Sequence, residues 1–323
     1  MNILIPKTIT SAMFGAGTNI PEVDSSTTPP EVAWVTGTAY SQYDRRTWKG
    51  YWYECVQNIT AGSTQSAYEP GSTNAAAWWL KDEGAPTNRM APFDKYLFTK
   101  ARRAGNVTYV LNPGFVTGVA IYGIEGDKIS ISVKAGTGGA NLITPIVNRD
   151  LWAQAFGEWE YLFGDLQRGT YFTLKDLPIH PSVEITITVT RNDPGVMAAI
   201  GFISVGTWKT LLAPIANVSG VQYGVESSTQ DYSYQEESTR RDGTYLDVQG
   251  RLATNINLSC VIDSNQAPAA KLLLDQILGK AVAMEVSELP KYSHLATVGK
   301  ITGNVRSDTW PTASVSLQIK GNV

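Results

Sequence analysis

Alternation of apolar and polar positions with a period of two dominates the middle of the chain. Val107, Tyr109 and Leu111 alternate with polar neighbours, as do Ile129, Ile131 and Val133, and Val183, Ile185, Ile187 and Val189. That period places every second side chain on one face of a strand. Turn signals separate the runs at Asn112-Pro-Gly114, Gly126-Asp127, Gly136-Thr-Gly-Gly139 and Asn192-Asp-Pro-Gly195. Short strands punctuated in this way predict an antiparallel β-sandwich over residues 85–205. From 206 to 323 the pattern changes. Strands are expected at 245–248, at Ile256/Leu258/Cys260/Ile262, at Val282/Met284/Val286 and at Val315/Leu317/Ile319. Between the second and third lies a helix over about 268–278. Asp263, Ser264 or Asn265 can cap it, Pro268 sits in its first turn and Gly279-Lys280 ends it. Leu272, Leu273 and Ile277 are expected to share its buried face. Strands, one helix, then strands make an α+β unit with the helix covering one sheet. The predicted class is therefore mainly β with a minor α component.

Two shorter segments precede the sandwich. Residues 1–30 end in Asp24-Ser-Ser-Thr-Thr-Pro-Pro30, a polar linker stiffened by proline. With the small, flexible Ser11-Ala-Met-Phe-Gly-Ala-Gly17 ahead of it, this stretch reads either as an extended arm that docks on a neighbouring subunit or as a frayed terminus. Residues 31–84 form a third unit. In it Tyr51, Tyr53 and Cys55 alternate with Trp52 and Glu54 as in a strand, and Gly84-Ala-Pro-Thr-Asn-Arg89 reads as the hinge that follows.

Composition narrows the function classes. A chain of 323 residues with 43% hydrophobic and 17% charged residues folds, and has room for two or three domains. The net charge is −3 and no basic run exceeds two residues, which argues against a nucleic-acid partner. No apolar run is long enough to span a bilayer. The opening Met1-Asn-Ile-Leu-Ile-Pro-Lys-Thr lacks the form of a secretory signal. Two distant cysteines, Cys55 and Cys260, make no disulfide framework, and two histidines, His180 and His294, leave little for a metal site. No metal or cofactor is expected.

Aromatic residues carry the sharpest signal. Trp34, Trp48, Trp52, Trp78 and Trp79 are five of the chain's 9 tryptophans, all within residues 31–84. Aromatic faces grip sugar rings, and they also fill the core of a very small domain. Trp48, Tyr51, Trp52 and Trp79 are the candidates for stacking on a glycan. Trp34, Tyr40, Tyr53 and Trp78 are expected to build the core, and Asp44 to brace the turn before Trp48. Glu158-Trp159-Glu160, read as a strand, would put two carboxylates on one face, the nearest approach to a glycosidase pair. A solvated edge is the competing reading. Glu236-Glu237 beside Arg240-Arg241 reads as a surface charge cluster suited to a contact between subunits. Gly136-Thr-Gly-Gly139 has no following Lys-Ser/Thr and reads as a hairpin, not a phosphate loop. Neither histidine has a Ser–Asp constellation near it, so no catalytic residue is assigned.

The residues also carry a resemblance. Trp34…Gly37-Thr-Ala-Tyr40…Asp44…Gly50…Tyr53…Cys55…Trp78-Trp79 resembles the small three-stranded carbohydrate-binding modules of bacterial chitinases. The remainder resembles structural proteins of tailed bacteriophages encoded among tail and baseplate genes. The matching residues are Ala85-Pro-Thr-Asn-Arg-Met-Ala-Pro-Phe-Asp94, Val110-Leu-Asn-Pro-Gly114, Val119-Ala-Ile-Tyr-Gly123, Leu177-Pro178, Ile200-Gly201 and Tyr223-Gly224…Asp231-Tyr-Ser233. The resemblance implies a virion component of the tail tip or baseplate, assembled in the host cytoplasm. Its partners would be copies of itself, other tail or baseplate proteins and a host-surface glycan. A host-surface adhesin is the alternative it leaves open, and a cell-wall or capsule hydrolase is disfavoured by the missing catalytic groups.

Overall fold

The computed structural model describes residues 1–152, 155, 157–164, 167–210, 220–221, 224–237, 245–287, 289–307 and 311–321. The fold is mainly β with a minor α part. Its largest element is one antiparallel sheet of ten strands. In spatial order these are Tyr171–Leu174, Gly118–Tyr122, Phe202–Thr210, Asn2–Pro6, Ala281–Glu285, Ala296–Ser307, Thr312–Gly321 and Leu252–Asp263. Both Gly220–Val221 and Glu226–Asp231 pair with the far side of the last.

The N-terminal strand is the seam of this sheet. On one side Asn2 pairs with Thr210 and Pro6 with Gly206, and on the other Asn2 pairs with Glu285 and Leu4 with Ala283. Ile3 and Leu4 point to opposite faces and both are fully buried. Ile3 packs in the core with Ile256, Ile277 and Met284, while Leu4 packs with Ala120, Tyr122, Phe202 and Val298. The expected arm is therefore corrected: residues 2–6 are a central strand, apolar on both faces as such strands must be. Three consecutive apolar residues are too few to show a period, which is why the strand reads as a terminus. The strand Phe202–Thr210 that it pairs with runs through the expected boundary at 205/206.

The rest of the arm is equally fixed. Phe14 bridges to Leu111, and Asn19 and Thr18 exchange hydrogen bonds with Thr108 and Val110. Gly15 and Gly17 lie on the Val110 side chain, where a Cβ would fall 2.6 and 2.8 Å from its methyl carbons. Small residues here reflect close approach rather than flexibility. The linker ends in a latch. The buried Glu31 carboxylate accepts the backbone N–H groups of Asp24 at 2.7 Å and Asn88 at 2.6 Å. The Asn88 amide donates to Asp24 Oδ2 at 2.7 Å. The points where the chain enters and leaves the unit 31–84 are thereby tied together, so neither the linker before it nor the expected hinge after it is a free joint.

The sandwich lies beyond the seam. A four-stranded sheet, Asn106–Leu111, Val183–Thr190, Lys128–Ala135 and Ile146–Asp150, faces the Gly118–Tyr122 and Phe202–Thr210 side of the large sheet. Its inward residues are the alternating ones: Val107, Tyr109, Ile129, Ile131, Ile185 and Ile187 are all fully buried. On the other side of the seam the helix Ala267–Ile277 covers the sheet of residues 252–321. Asp263 accepts the N–H of Asn265 and so caps the turn that leads into the helix. The buried stripe is Ala270, Leu274 and Ile277, and the expected Leu272 is 64% exposed. Residues 270, 274 and 277 follow the i, i+4, i+7 rule, and Leu272 falls on the opposite side. Glu158–Phe163 is a short helix and not a strand. Glu158 and Glu160 are two apart on a 3.6-residue turn and point away from each other, so they form no facing pair.

Asp94, in the loop that joins the small unit to the sandwich, accepts the Tyr96 N–H at 2.7 Å and the Thr99 hydroxyl at 2.6 Å. Desolvation dominates over these bonds and pushes its carboxyl up to about 6. The folded chain then holds this proton more tightly than the unfolded chain. The stability it contributes is complete below about pH 4 and is lost as pH rises through about 6. Asp94→Asn keeps an acceptor and removes the titration. Its melting temperature is expected to gain on the parent between about pH 4 and 6 and to hold that gain above. Thermal scans across that range check it. Leu4→Ala is expected to cost about 2–5 kcal/mol, and Leu272→Ala less than about 0.5 kcal/mol, by urea denaturation.

Candidate functional site: the aromatic unit and the sheet-edge hairpin

The aromatic unit is a three-stranded antiparallel sheet, Arg45–Trp48, Tyr51–Cys55 and Trp79–Pro86. Alternation divides its side chains cleanly. One face carries Tyr53 and Cys55 with Trp79 opposite Cys55, and onto it fold Trp34, Tyr40, Ile59 and Ala75. Trp34 meets Trp48 edge to face, and Tyr40 meets Trp79 the same way, each pair with centroids 5.0 Å apart. The Tyr40 hydroxyl donates to the Val35 carbonyl and accepts the Val35 N–H, both at 2.8 Å. Asp44 accepts the Ser41 N–H at 2.9 Å and closes the turn 41–44. Trp78 is half-buried at the rim of the same core.

Two candidate stacking rings are interior. Trp79 is only 4% exposed, at the centre of the core. Trp52 is 9% exposed on the opposite face of the sheet. It lies against a bulge, because its neighbours Tyr51 and Tyr53 pair with Pro86 and Lys81 and so leave residues 82–85 unmatched. The Arg45 guanidinium lies 5.0 Å above its ring and pairs with Asp82 at 2.8 Å. Neither ring offers a face to a ligand, which corrects their expected exposure. A unit of this size has so little interior that nearly every ring is drawn into it.

The other two candidates are half-buried and covered. Lys81 Nζ sits 3.8 Å from the Tyr51 ring centroid and is held by Glu83 at 3.3 Å. Lys49 Nζ lies 5.3 Å from the Trp48 ring and pairs with Glu69 at 3.1 Å. The four rings thus form no common platform. The indole N–H groups of Trp34, Trp48 and Trp79 are enclosed with no acceptor among the described residues. The ring this unit does present is Tyr43, which the sequence reading passed over. It is 71% exposed on a left-handed backbone with φ 71°, and its N–H donates to Cys55 at 2.8 Å. Its position in the turn just before Asp44 is the signal that could have found it.

A second feature stands at an edge of the large sheet. Glu226–Asp231 pairs with the first half of Leu252–Asp263, from Glu226 opposite Asn257 to Asp231 opposite Leu252. The hairpin then continues as Tyr234–Glu237 paired with Tyr245–Val248. A kink separates the two ladders. Asp231 accepts the N–H and hydroxyl of Ser233, and the Ser233 hydroxyl accepts the Gly250 N–H. A Cβ at Gly250 would fall 2.1 Å from the Tyr232 carbonyl carbon, so glycine is required there. Every residue of Glu226–Asp231 is exposed, as are Tyr232 and Tyr234. Among the described residues, the outer edge of Glu226–Asp231 pairs with no strand. Glu236 and Glu237 lie on this hairpin, while their expected partners Arg240 and Arg241 lie outside the described residues. At its base the Arg251 guanidinium stacks 3.3 Å from the Phe98 centroid and anchors the hairpin to the body. The strand at 245–248 stands where the sequence pattern placed it, and patterning missed Glu226–Asp231 because every residue of that strand is exposed.

Comparisons with protein-family models, with curated proteins and with solved structures returned no match.

Trp79→Ala is expected to destabilise the protein by about 3–5 kcal/mol and to abolish the near-ultraviolet dichroism of the packed rings. Tyr43→Ala is expected to stay within about 0.5 kcal/mol of the parent. Urea denaturation of both variants makes the check.

Proposed function

We propose that the protein is a structural subunit of the tail tip or baseplate of a tailed phage, joined to copies of itself in a closed ring through its sheet-edge hairpin. The observation that carries the assembly reading is the hairpin itself. A ladder that leaves a whole strand exposed and buries little against its own chain gains its stability from a neighbour. Its unpaired edge can take a strand from another chain by main-chain hydrogen bonds. Where that edge meets a different surface of the next copy, the contact is heterologous and closes into a ring when its rotation divides a circle. The phage assignment rests on the sequence resemblance.

The aromatic unit is, in this reading, a docking unit on the subunit surface. Internal Trp79, covered Tyr51 and the latch at Glu31 favour a rigid platform over a sugar-stacking module. The divergence of Glu158 and Glu160 weighs against a glycoside hydrolase. Host-surface adhesion is compatible with this reading if the glycan binds elsewhere on the chain.

Mass photometry and electron microscopy of the purified full chain test this reading. Closed rings are expected, and a variant with Ser228→Lys and Gln230→Lys, which places charges along the exposed edge strand, is expected to be monomeric with an unchanged melting temperature. A full chain that stays monomeric at every concentration, or a lysine-bearing edge that still closes rings, would contradict the proposal. Antibody labelling of intact particles is expected to mark the tail end.

A further inference from the structure

The large sheet curls so that its edge strand Tyr171–Leu174 comes back toward the opposite half. The Thr173 hydroxyl donates to Glu285 at 3.3 Å, and Lys175 pairs with the same carboxylate at 2.8 Å. The Tyr122 hydroxyl donates to the Met284 carbonyl at 3.3 Å. Where the curl opens, a cleft of about 890 Å³ remains between Arg149, Trp152 and residues 168–176 on one side and the 227–229 and 293–296 segments on the other. That is the size range of small-ligand sites. The cleft does not involve the aromatic unit.

Three features define what would fit. The first is Trp152, which is 49% exposed in the cleft wall. The Arg168 guanidinium stacks on its ring at 3.4 Å from the centroid and is itself held by Asp127 at 3.2 Å. Among the described residues no other ring or cation meets Trp152, and at 49% exposure about half of the ring's surface is accessible to a ligand. A fixed, half-exposed aromatic ring in a polar cleft suits the apolar face of a pyranose. The second is Arg149, exposed on the same wall with its guanidinium 5.4 Å from the Phe172 ring centroid. Lys175 and Arg168 have carboxylate partners and Arg149 has none among the described residues. Its planar fork matches a carboxylate. The third is the facing wall, where Ser227, Thr229, Thr254 and Ser293 bring hydroxyls and His294 an imidazole. Asp176, exposed four residues beyond Phe172, adds an acceptor for sugar hydroxyls at the far end.

We infer that this cleft binds an acidic oligosaccharide, with a pyranose ring on Trp152 and its carboxylate on Arg149. The inference does not rest on the ring reading, because every group it uses belongs to one chain.

The test is a glycan array probed with the full chain, displaying uronate and sialate oligosaccharides, polyol-phosphate oligomers and neutral oligosaccharides of matched length. Calorimetry follows on the tightest binder. Carboxylate-bearing glycans are expected to bind, and neutral ones about tenfold more weakly or worse. Trp152→Ala is expected to weaken binding at least about tenfold. Arg149→Gln is expected to erase the preference for acidic over neutral glycans, and Trp48→Ala to change nothing. Melting curves establish that the variants fold, and Arg149 is exposed enough that its exchange tests the cleft even if Trp152→Ala unfolds. Absence of binding to any carboxylate glycan would overturn the inference, as would wild-type affinity in folded Trp152→Ala. A preference for the polyol phosphates, or an acidic preference that survives Arg149→Gln, would overturn the carboxylate assignment.

Discussion

Five residues at the start of the chain hold its two halves in one sheet. Asn2–Pro6 is hydrogen-bonded on one side to a strand of the sandwich and on the other to a strand of the helix-covered half. A strand in that position has no solvent face, so Ile3 and Leu4 each enter a different hydrophobic core. The two cores cannot slide past each other without breaking this ladder. Closing such a non-local pairing joins residue 2 to residues 210 and 285 and is entropically costly. The gain is a rigid body from parts that composition alone would separate. The curl that brings Tyr171–Leu174 over Glu285, and with it the cleft, follows from that continuity.

The same economy governs the aromatic unit. It is too small to build a core from aliphatic residues, so it uses tryptophan and tyrosine rings packed edge to face. Cations on long side chains cover the ring faces that remain at its rim, and each such lysine or arginine is held by a neighbouring carboxylate. The latch of Asp24, Glu31 and Asn88 then fixes the unit where the chain enters and leaves it. Burial pushes the Glu31 carboxyl up, and the two backbone N–H groups it accepts oppose that shift. The latch is therefore a compromise between desolvation and hydrogen bonding, sustained by the packing around it.

Legibility followed the strength of the local period. The sandwich strands carry three or four alternating apolar residues each, and the ladders at 107–111, 129–133 and 183–189 stand where that alternation put them. The helix is flagged by its cap and its proline, although its buried stripe was misassigned at Leu272 because three leucines in a row leave the phase open. The N-terminal strand was missed because an apolar run of three has no period. The edge strand 226–231 was missed for the opposite reason: every residue of it is exposed, so no pattern exists to read, whereas the strand at 245–248 stands where it was expected. For the rings, the sequence supplied the residue types but not their exposure. Alternation sent Trp52 and Trp79 to opposite faces, and on each face packing beyond the strand decided how much of the ring stayed open. Trp152 and Arg149 share a wall with residues from distant strands, a juxtaposition only the curled sheet creates.

Amide hydrogen exchange of the intact chain tests the seam most directly. If Asn2–Pro6 is the central strand, the amides of Ile3, Leu4 and Ile5 exchange in the same slow class as those of residues 203–207 and 282–284, because all open only with the global transition. Rapid exchange of residues 3–5, at the rate of a chain terminus, while the flanking strands stay protected, would show two separately held halves and contradict the account.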